Sequence, residues 1–126
     1  MTKQANQRSL RLLVVEDESL IAFELSDILE DLGHRVVGMA ATPEQALRLI
    51  RDMAGQIDAA MVDANLAGQS SATVIEALRL AEVPFAITSG YDQDELKAIG
   101  VCGVQIVKPY TRDDIYRTLT TLSART

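Results

Sequence analysis

A fivefold alternation of short apolar segments with stretches of helical spacing constrains this chain more than any other feature. Leu10–Val15, Arg35–Met39, Ala59–Asp63, Phe85–Ser89 and Val104–Val107 are built mainly of Val, Ile, Leu, Met and Ala. They show no clean in–out alternation, the pattern of strands covered on both faces of a parallel sheet. Between the first two, Ile21, Leu25, Ile28 and Leu32 recur at helical spacing, and Gly33 supplies a stop. Thr42-Pro43-Glu44-Gln45 combines an N-cap, a first-turn proline and a capping-box glutamine, with Ala46, Ile50 and Met53 as the inward stripe. Val74, Ile75 and Leu78 mark a third helix. Asp92 to Glu95 and Thr111 to Asp114 have capping-box spacing ahead of Leu96 and Ile99 and of Ile115, Leu119 and Leu122.

Strand then helix, five times over, means right-handed βαβ units. The simplest closure is an α/β, doubly wound (βα)5 sheet of flavodoxin-like order 2-1-3-4-5. The 126 residues suit one domain, with residues 1–9 expected as a flexible tail and a single domain over 10–126.

Composition narrows the function. The net charge is −6 with a sequence pI near 4.7, without the Lys/Arg surplus that phosphate contact demands, so direct nucleic-acid binding is disfavoured. A single cysteine, Cys102, supports neither an internal disulfide nor a multi-cysteine metal site and fits a reducing cytoplasm; in its turn it reads as a small packed residue. The single histidine, His34, reads as an exposed turn residue without the helix-face setting of a phosphodonor. No apolar run approaches the ~18 residues of a membrane span, and no secretory leader is apparent, so a cytoplasmic location is expected. Arg48, Arg51 and Asp52 read as a solvated helix face.

In a doubly wound sheet, ligands sit outside the carboxyl ends of the strands, near the point where strand order reverses. The first strand ends in Glu16-Asp17-Glu18, the third in Asp63 with Asn65 two residues on, the fourth in Ser89-Gly90-Tyr91 and the fifth in Lys108-Pro109. The second ends in the chemically blank Met39-Ala40-Ala41, and in this order it is an edge strand away from the crevice. Carboxylates brought together repel, and a hard divalent cation such as Mg2+ relieves that repulsion while accepting a phosphoryl oxygen. Asp63 is then placed to act as a nucleophile toward phosphorus, with Lys108 and the Ser89 hydroxyl stabilising phosphoryl oxygens.

This ordered set resembles the receiver domain of bacterial two-component response regulators, from roughly Leu10 to Leu122. The resemblance implies Mg2+ held by Glu16, Asp17, Asp63 and the backbone carbonyl of Asn65, with Asp63 as phosphoacceptor. It implies Ser89 as switch hydroxyl, Lys108 as the conserved-type lysine and a cis bond to Pro109. It also implies a sensor histidine kinase or histidine phosphotransfer protein as partner. Pro84-Phe85-Ala86-Ile87-Thr88-Ser89-Gly90-Tyr91 resembles the signature of the FAT GUY receivers, departing from its Phe-Ala-Thr core at Ile87, Thr88 and Ser89. Most receivers carry an aromatic residue three positions before the lysine; here that position is Gln105, so Tyr91 is expected to move in its place, with Gly90 freeing the loop.

Because the resemblance takes up nearly all of the 126 residues, a single-domain response regulator with no output domain is expected, signalling by phosphorylation-dependent protein–protein contact or serving in a phosphorelay or as a phosphate sink. The resemblance implies no enzyme acting on an outside metabolite, only phosphotransfer and autodephosphorylation on the domain itself. Two other readings stand beside it. One is a receiver-like interaction module that is never phosphorylated. The other is an Mg2+-dependent phosphatase with a strand-end aspartate, which needs an acid where this chain has Asn65. A flavin or nucleotide binder on the same fold lacks its Gly-rich phosphate loop after the first strand.

Overall fold

The computed structural model describes residues 8–125; the tail expected over residues 1–9 lies, apart from Arg8 and Ser9, outside the described residues. Among the described residues, seven strands and five helices run in the order β1 (Arg11–Val15), α1 (Ser19–Asp31), β2 (Arg35–Ala40), α2 (Pro43–Asp52), β3 (Ala59–Asp63), β4 (Asn65–Leu66), β5 (Gln69–Ser70), α3 (Ala72–Leu80), β6 (Phe85–Ser89), α4 (Gln93–Ala98), β7 (Val104–Val107) and α5 (Arg112–Ser123). The main sheet is parallel throughout and ordered β2-β1-β3-β6-β7. Counting only its five strands, this is the expected 2-1-3-4-5 order.

Successive β1 residues point to opposite faces and feed two cores. Leu12 and Val14 pack with Leu25 and Leu29 of α1 and with Ile115, Leu119 and Leu122 of α5. Leu13 and Val15 pack with Ala46 and Ile50 of α2 and with Val74 and Leu78 of α3. A third cluster joins Ala64, Ile75, Ile87, Leu96 and Val101 under α3 and α4, with Tyr91 against its edge. Each apolar stripe expected on α2, α3 and α5 faces inward. On α1 the buried line runs through Ala22, Leu25, Ser26 and Leu29, leaving Ile21 and Ile28 half-buried, a small rotation from the spacing read in the sequence.

The caps follow their chemistry. Asp92 with Glu95, and Thr111 with Asp114, form complete capping boxes. Thr42 accepts from the Gln45 N–H, but the Gln45 side chain reaches one residue further back and accepts from Ala41. The β4–β5 hairpin is an addition to the expected elements. Its two-residue turn, Ala67-Gly68, has positive φ at both positions (54° and 89°), as an inverted hairpin turn requires. Ala-Gly is not the Asn-Gly or Asp-Gly pair that announces such a turn.

Two expectations for single residues are corrected. His34 is not exposed: it is 4% accessible, and its Nδ1 accepts the N–H of Leu10, which lies outside the strand ladder. Cys102 is not packed but exposed, since the turn before β7 presents it outward. Arg48, Arg51 and Asp52 are exposed as expected. No helix among the described residues is long and apolar enough to cross a membrane.

Candidate functional site

The carboxyl ends of β1 and β3 lie side by side, because Val15 pairs with Val62 and both strands end on an acid-bearing loop. Glu16, Asp17 and Asp63 each offer a carboxylate oxygen, all within 4.8 Å of one another. Glu16 and Asp63 are buried and Asp17 half-buried. Lys108 comes in from the end of β7: its Nζ donates to Asp63 Oδ2 at 2.7 Å and lies 3.7 Å from Glu16 Oε1. The other Asp63 oxygen, Oδ1, accepts the Asn65 N–H at 3.0 Å. The Lys108–Pro109 bond is cis.

Burial pushes the Glu16 carboxyl up to about 7; neighbouring Asp63 adds to the rise, while the Glu18 N–H and Lys108 oppose it. For Lys108, burial works to lower the pKa, but the hydrogen bond and charge of Asp63 and the charge of Glu16 outweigh it and hold the ammonium above its usual range. Three converging carboxylates against a single ammonium leave negative charge in excess, and the donors are all hard oxygens. That set fits a Mg2+ ion, which favours carboxylates and carbonyls and keeps some of its water.

The β6 end closes the third side. Asp63 pairs with Thr88, so Ser89 follows one residue beyond, buried, and its carbonyl accepts the Lys108 N–H at 2.8 Å. The Ser89 hydroxyl oxygen accepts the Tyr91 N–H at 2.8 Å. Gly90 between them is exposed, with open space where a side chain would stand. Tyr91 is half-buried, and its hydroxyl accepts from Asn65 Nδ2 at 3.4 Å. Gln105 does not join the acidic cluster; it sits on β7 and donates to the Tyr91 carbonyl at 2.5 Å.

Glu16, Asp17, Asp63 and Lys108 therefore meet at one edge of the sheet, with Asn65 bonded to Asp63, Ser89 to the Lys108 backbone and Tyr91 to both Asn65 and Ser89. Two contributors went unread in the sequence. Ser71, fully buried, uses its hydroxyl and its N–H to hold the Ala64 carbonyl, fixing the loop that carries Asn65. Gln93 at the start of α4 donates to Gln105 at 2.9 Å. Neither shows in strand or helix periodicity.

The parallel sheet with acids, a lysine and a hydroxyl gathered beyond its carboxyl edge defines a signal-receiver class of flavodoxin-like domain. Residues 12–120 match the response regulator receiver domain, and the chain belongs to that family. It is 32% identical over 91 residues to the phyllosphere-induced regulator PhyR of Methylorubrum extorquens, covering 71% of this chain and 34% of that protein. The chain thus spans about a third of the length of this curated relative. Among solved structures, SdrG from Sphingomonas melonis is 37% identical, covering 90% of this chain and 96% of that one, with a TM-score of 0.76. The response regulator PhyR from Brucella abortus is 28% identical over 95% of this chain and 49% of its own, with a TM-score of 0.77.

Proposed function

We propose that this chain is a phosphorylatable receiver in which Asp63 takes a phosphoryl group from a phosphohistidine on a sensor kinase or phosphotransfer protein. The observation that carries this is the Asp63 carboxylate itself, grouped with those of Glu16 and Asp17 and with Lys108 Nζ 2.7 Å from one oxygen. A carboxylate oxygen of Asp63 attacks phosphorus, the P–N bond to the imidazole breaks with its electron pair leaving on nitrogen, and a mixed anhydride forms. Lys108 then turns from neutralising a carboxylate to neutralising a phosphoryl oxygen, and the Ser89 O–H is free to donate to another while its oxygen keeps the Tyr91 N–H. Glu16, Asp17, Asp63 and the Asn65 carbonyl are the groups that would hold Mg2+, which when bound offsets the charge of acid and phosphoryl oxygens.

The PF…SGY segment, Pro84 to Tyr91, supports placing the chain near the FAT GUY receivers, with Ile87, Thr88 and Ser89 as its departures. The donor's approach is supported by Leu20 and Phe23 of α1, which are 71% and 60% exposed. Phe23 lines the same cleft as Glu16 and Asp17, and so do Met39, Ala40 and Ala41: the β2 end is not away from the acids as its edge position suggested, because the Glu16 N–H bonds to the Ala40 carbonyl. A protein bringing a histidine to the acidic cluster would meet this apolar rim. Asn65 stands where a phosphatase would need an acid, so the domain acts on its own phosphoryl group and not on a metabolite.

Incubation with Mg2+ and a phosphorylated kinase or a small phosphodonor tests the reading. Base-labile label is expected on the wild type and none on Asp63→Asn. Equal labelling of both, or no label where a reference receiver is labelled, overturns it.

A further inference from the structure

Polar bonds run unbroken from the phosphoacceptor to α4. Asp63 Oδ1 accepts the Asn65 N–H, and the Asn65 side-chain amide donates to the Tyr91 hydroxyl. The Tyr91 N–H is held by the Ser89 hydroxyl, and its carbonyl by Gln105 Nε2. Gln105 Oε1 in turn accepts from Gln93, in the first turn of α4. Tyr91 is therefore gripped at its N–H, its carbonyl and its hydroxyl, each by a different strand end or loop. The ring lies against the cluster of Ala64, Ile75, Ile87, Leu96 and Val101.

Gln105 is the member of this chain that cannot move with the loop. Its backbone is fixed in β7, paired with Ile87 of β6, and its side chain is half-buried. A carboxamide is the side chain this position needs: one end donates to a carbonyl while the other accepts from an amide. An aromatic ring there has neither an amide donor for Tyr91 nor a carbonyl for Gln93. With Gly90 beside it unhindered, the Tyr91 segment has few local restraints other than these bonds.

We infer that Gln105 is a positioning residue, a polar latch that holds the Tyr91 loop and the start of α4 in the resting arrangement. A phosphoryl group on Asp63 acts on the output face by drawing Ser89 and Tyr91 away from it. This rests on the phosphoacceptor reading above for its trigger, but the latch itself is a property of the unmodified domain. Loss of one such hydrogen bond shifts the balance between resting and shifted loop by about fivefold.

The test uses amide NMR of the full chain with Mg2+ and beryllofluoride, a tetrahedral phosphoryl analogue. Three proteins are compared: wild type, Gln105→Ala and Gln105→Glu. The glutamate keeps the shape and an acceptor for Gln93 but cannot donate to the Tyr91 carbonyl. In the wild type, the Gln105 side-chain NH2 signal is expected to move on beryllofluoride addition together with the Gly90 and Tyr91 amides. Without beryllofluoride, both variants are expected to show Gly90, Tyr91 and Leu96 signals displaced toward the wild type's bound positions, and to bind beryllofluoride about fivefold more tightly. A Gln105→Glu spectrum that matches free wild type at those residues, with an unchanged beryllofluoride midpoint, overturns the latch and leaves the phosphoacceptor reading standing. If no wild-type signal responds to beryllofluoride, the phosphoacceptor reading fails and the trigger with it. The unliganded spectra of the two variants still decide whether Gln105 holds the loop.

Discussion

At the mouth of β2 the His34 imidazole accepts the Leu10 N–H on Nδ1, joining the chain just before β1 to the turn after α1. Burial lowers its pKa below the ordinary imidazole value, because the folded chain favours the neutral ring. The sign follows from linkage. Where the unfolded chain binds a proton that the folded chain refuses, stability falls as pH falls. The contribution is therefore complete above the unfolded pKa of about 6.5 and is lost as pH drops through and below it. The urea midpoint of the wild type is expected to decline from about pH 7.5 to 5.5 more steeply than that of His34→Gln, which keeps a neutral acceptor. Parallel declines would show that His34 does not titrate differently on folding. This residue also marks where sequence reading stops. Glu16, Asp17, Asp63 and Lys108 were legible because strand ends of a doubly wound sheet share one edge, so position along a strand predicts convergence. The burial of a turn residue such as His34, or the exposure of Cys102, depends on which backbone group needs a partner, and no periodicity encodes that.

The helices read well wherever an N-cap and an apolar stripe agreed, as on α2 and α5. They read less well on α1, where Ile21, Ile28 and Leu20 compete with Ala22 and Leu29 for the inward face. This bears on the site, because the unburied side of α1 carries the exposed Leu20 and Phe23, and Phe23 lines the cleft that holds Glu16 and Asp17. Exposed large side chains cost little in the free domain and gain when a partner covers them. Phe23→Ala is therefore expected to slow phosphotransfer from a histidine-bearing protein by about tenfold, the scale of an aromatic interface contact whose truncation costs somewhat over ~1 kcal/mol. Transfer from a small phosphodonor is expected to stay within about twofold, since that route needs only the cleft. Paired labelling time courses with the two donors check this; equal slowing with both places the defect in the site itself. The β4–β5 hairpin escaped the sequence because a two-residue strand has no period and its Ala-Gly turn no signature. Yet it frames the site: the Gly68 N–H bonds to Asn65 Oδ1 at 2.7 Å, and Ser70 Oγ donates to the Ile99 carbonyl at the end of α4.

Across the whole molecule, folding brings Asp63 from the end of β3 to the neighbouring pair Glu16-Asp17 after β1, so that three of the chain's 18 acids meet at one edge of the sheet. Burial first, and the neighbouring Asp63 after it, raise the Glu16 pKa, so ionised Glu16 opposes folding, and a cation bound at the cluster would offset that cost. A ligand that binds only the folded state stabilises it by RT ln(1 + [L]/Kd), about 2.7 kcal/mol at a hundredfold excess over Kd. Thermal unfolding at constant ionic strength is therefore expected to shift upward with Mg2+ in the wild type. Glu16→Gln is expected to behave in the opposite way on the two sides of this comparison. In chelator near pH 8 it removes a buried carboxylate that folding disfavours, so it melts above the wild type. In saturating Mg2+ it lacks a ligand, so it gains less and falls behind. A crossing of the two melting curves as Mg2+ is added ties the acidic cluster to the cation rather than to general screening. If Glu16→Gln and the wild type respond to Mg2+ in parallel, Glu16 does not hold the ion, and the cation site reduces to Asp17, Asp63 and the Asn65 carbonyl.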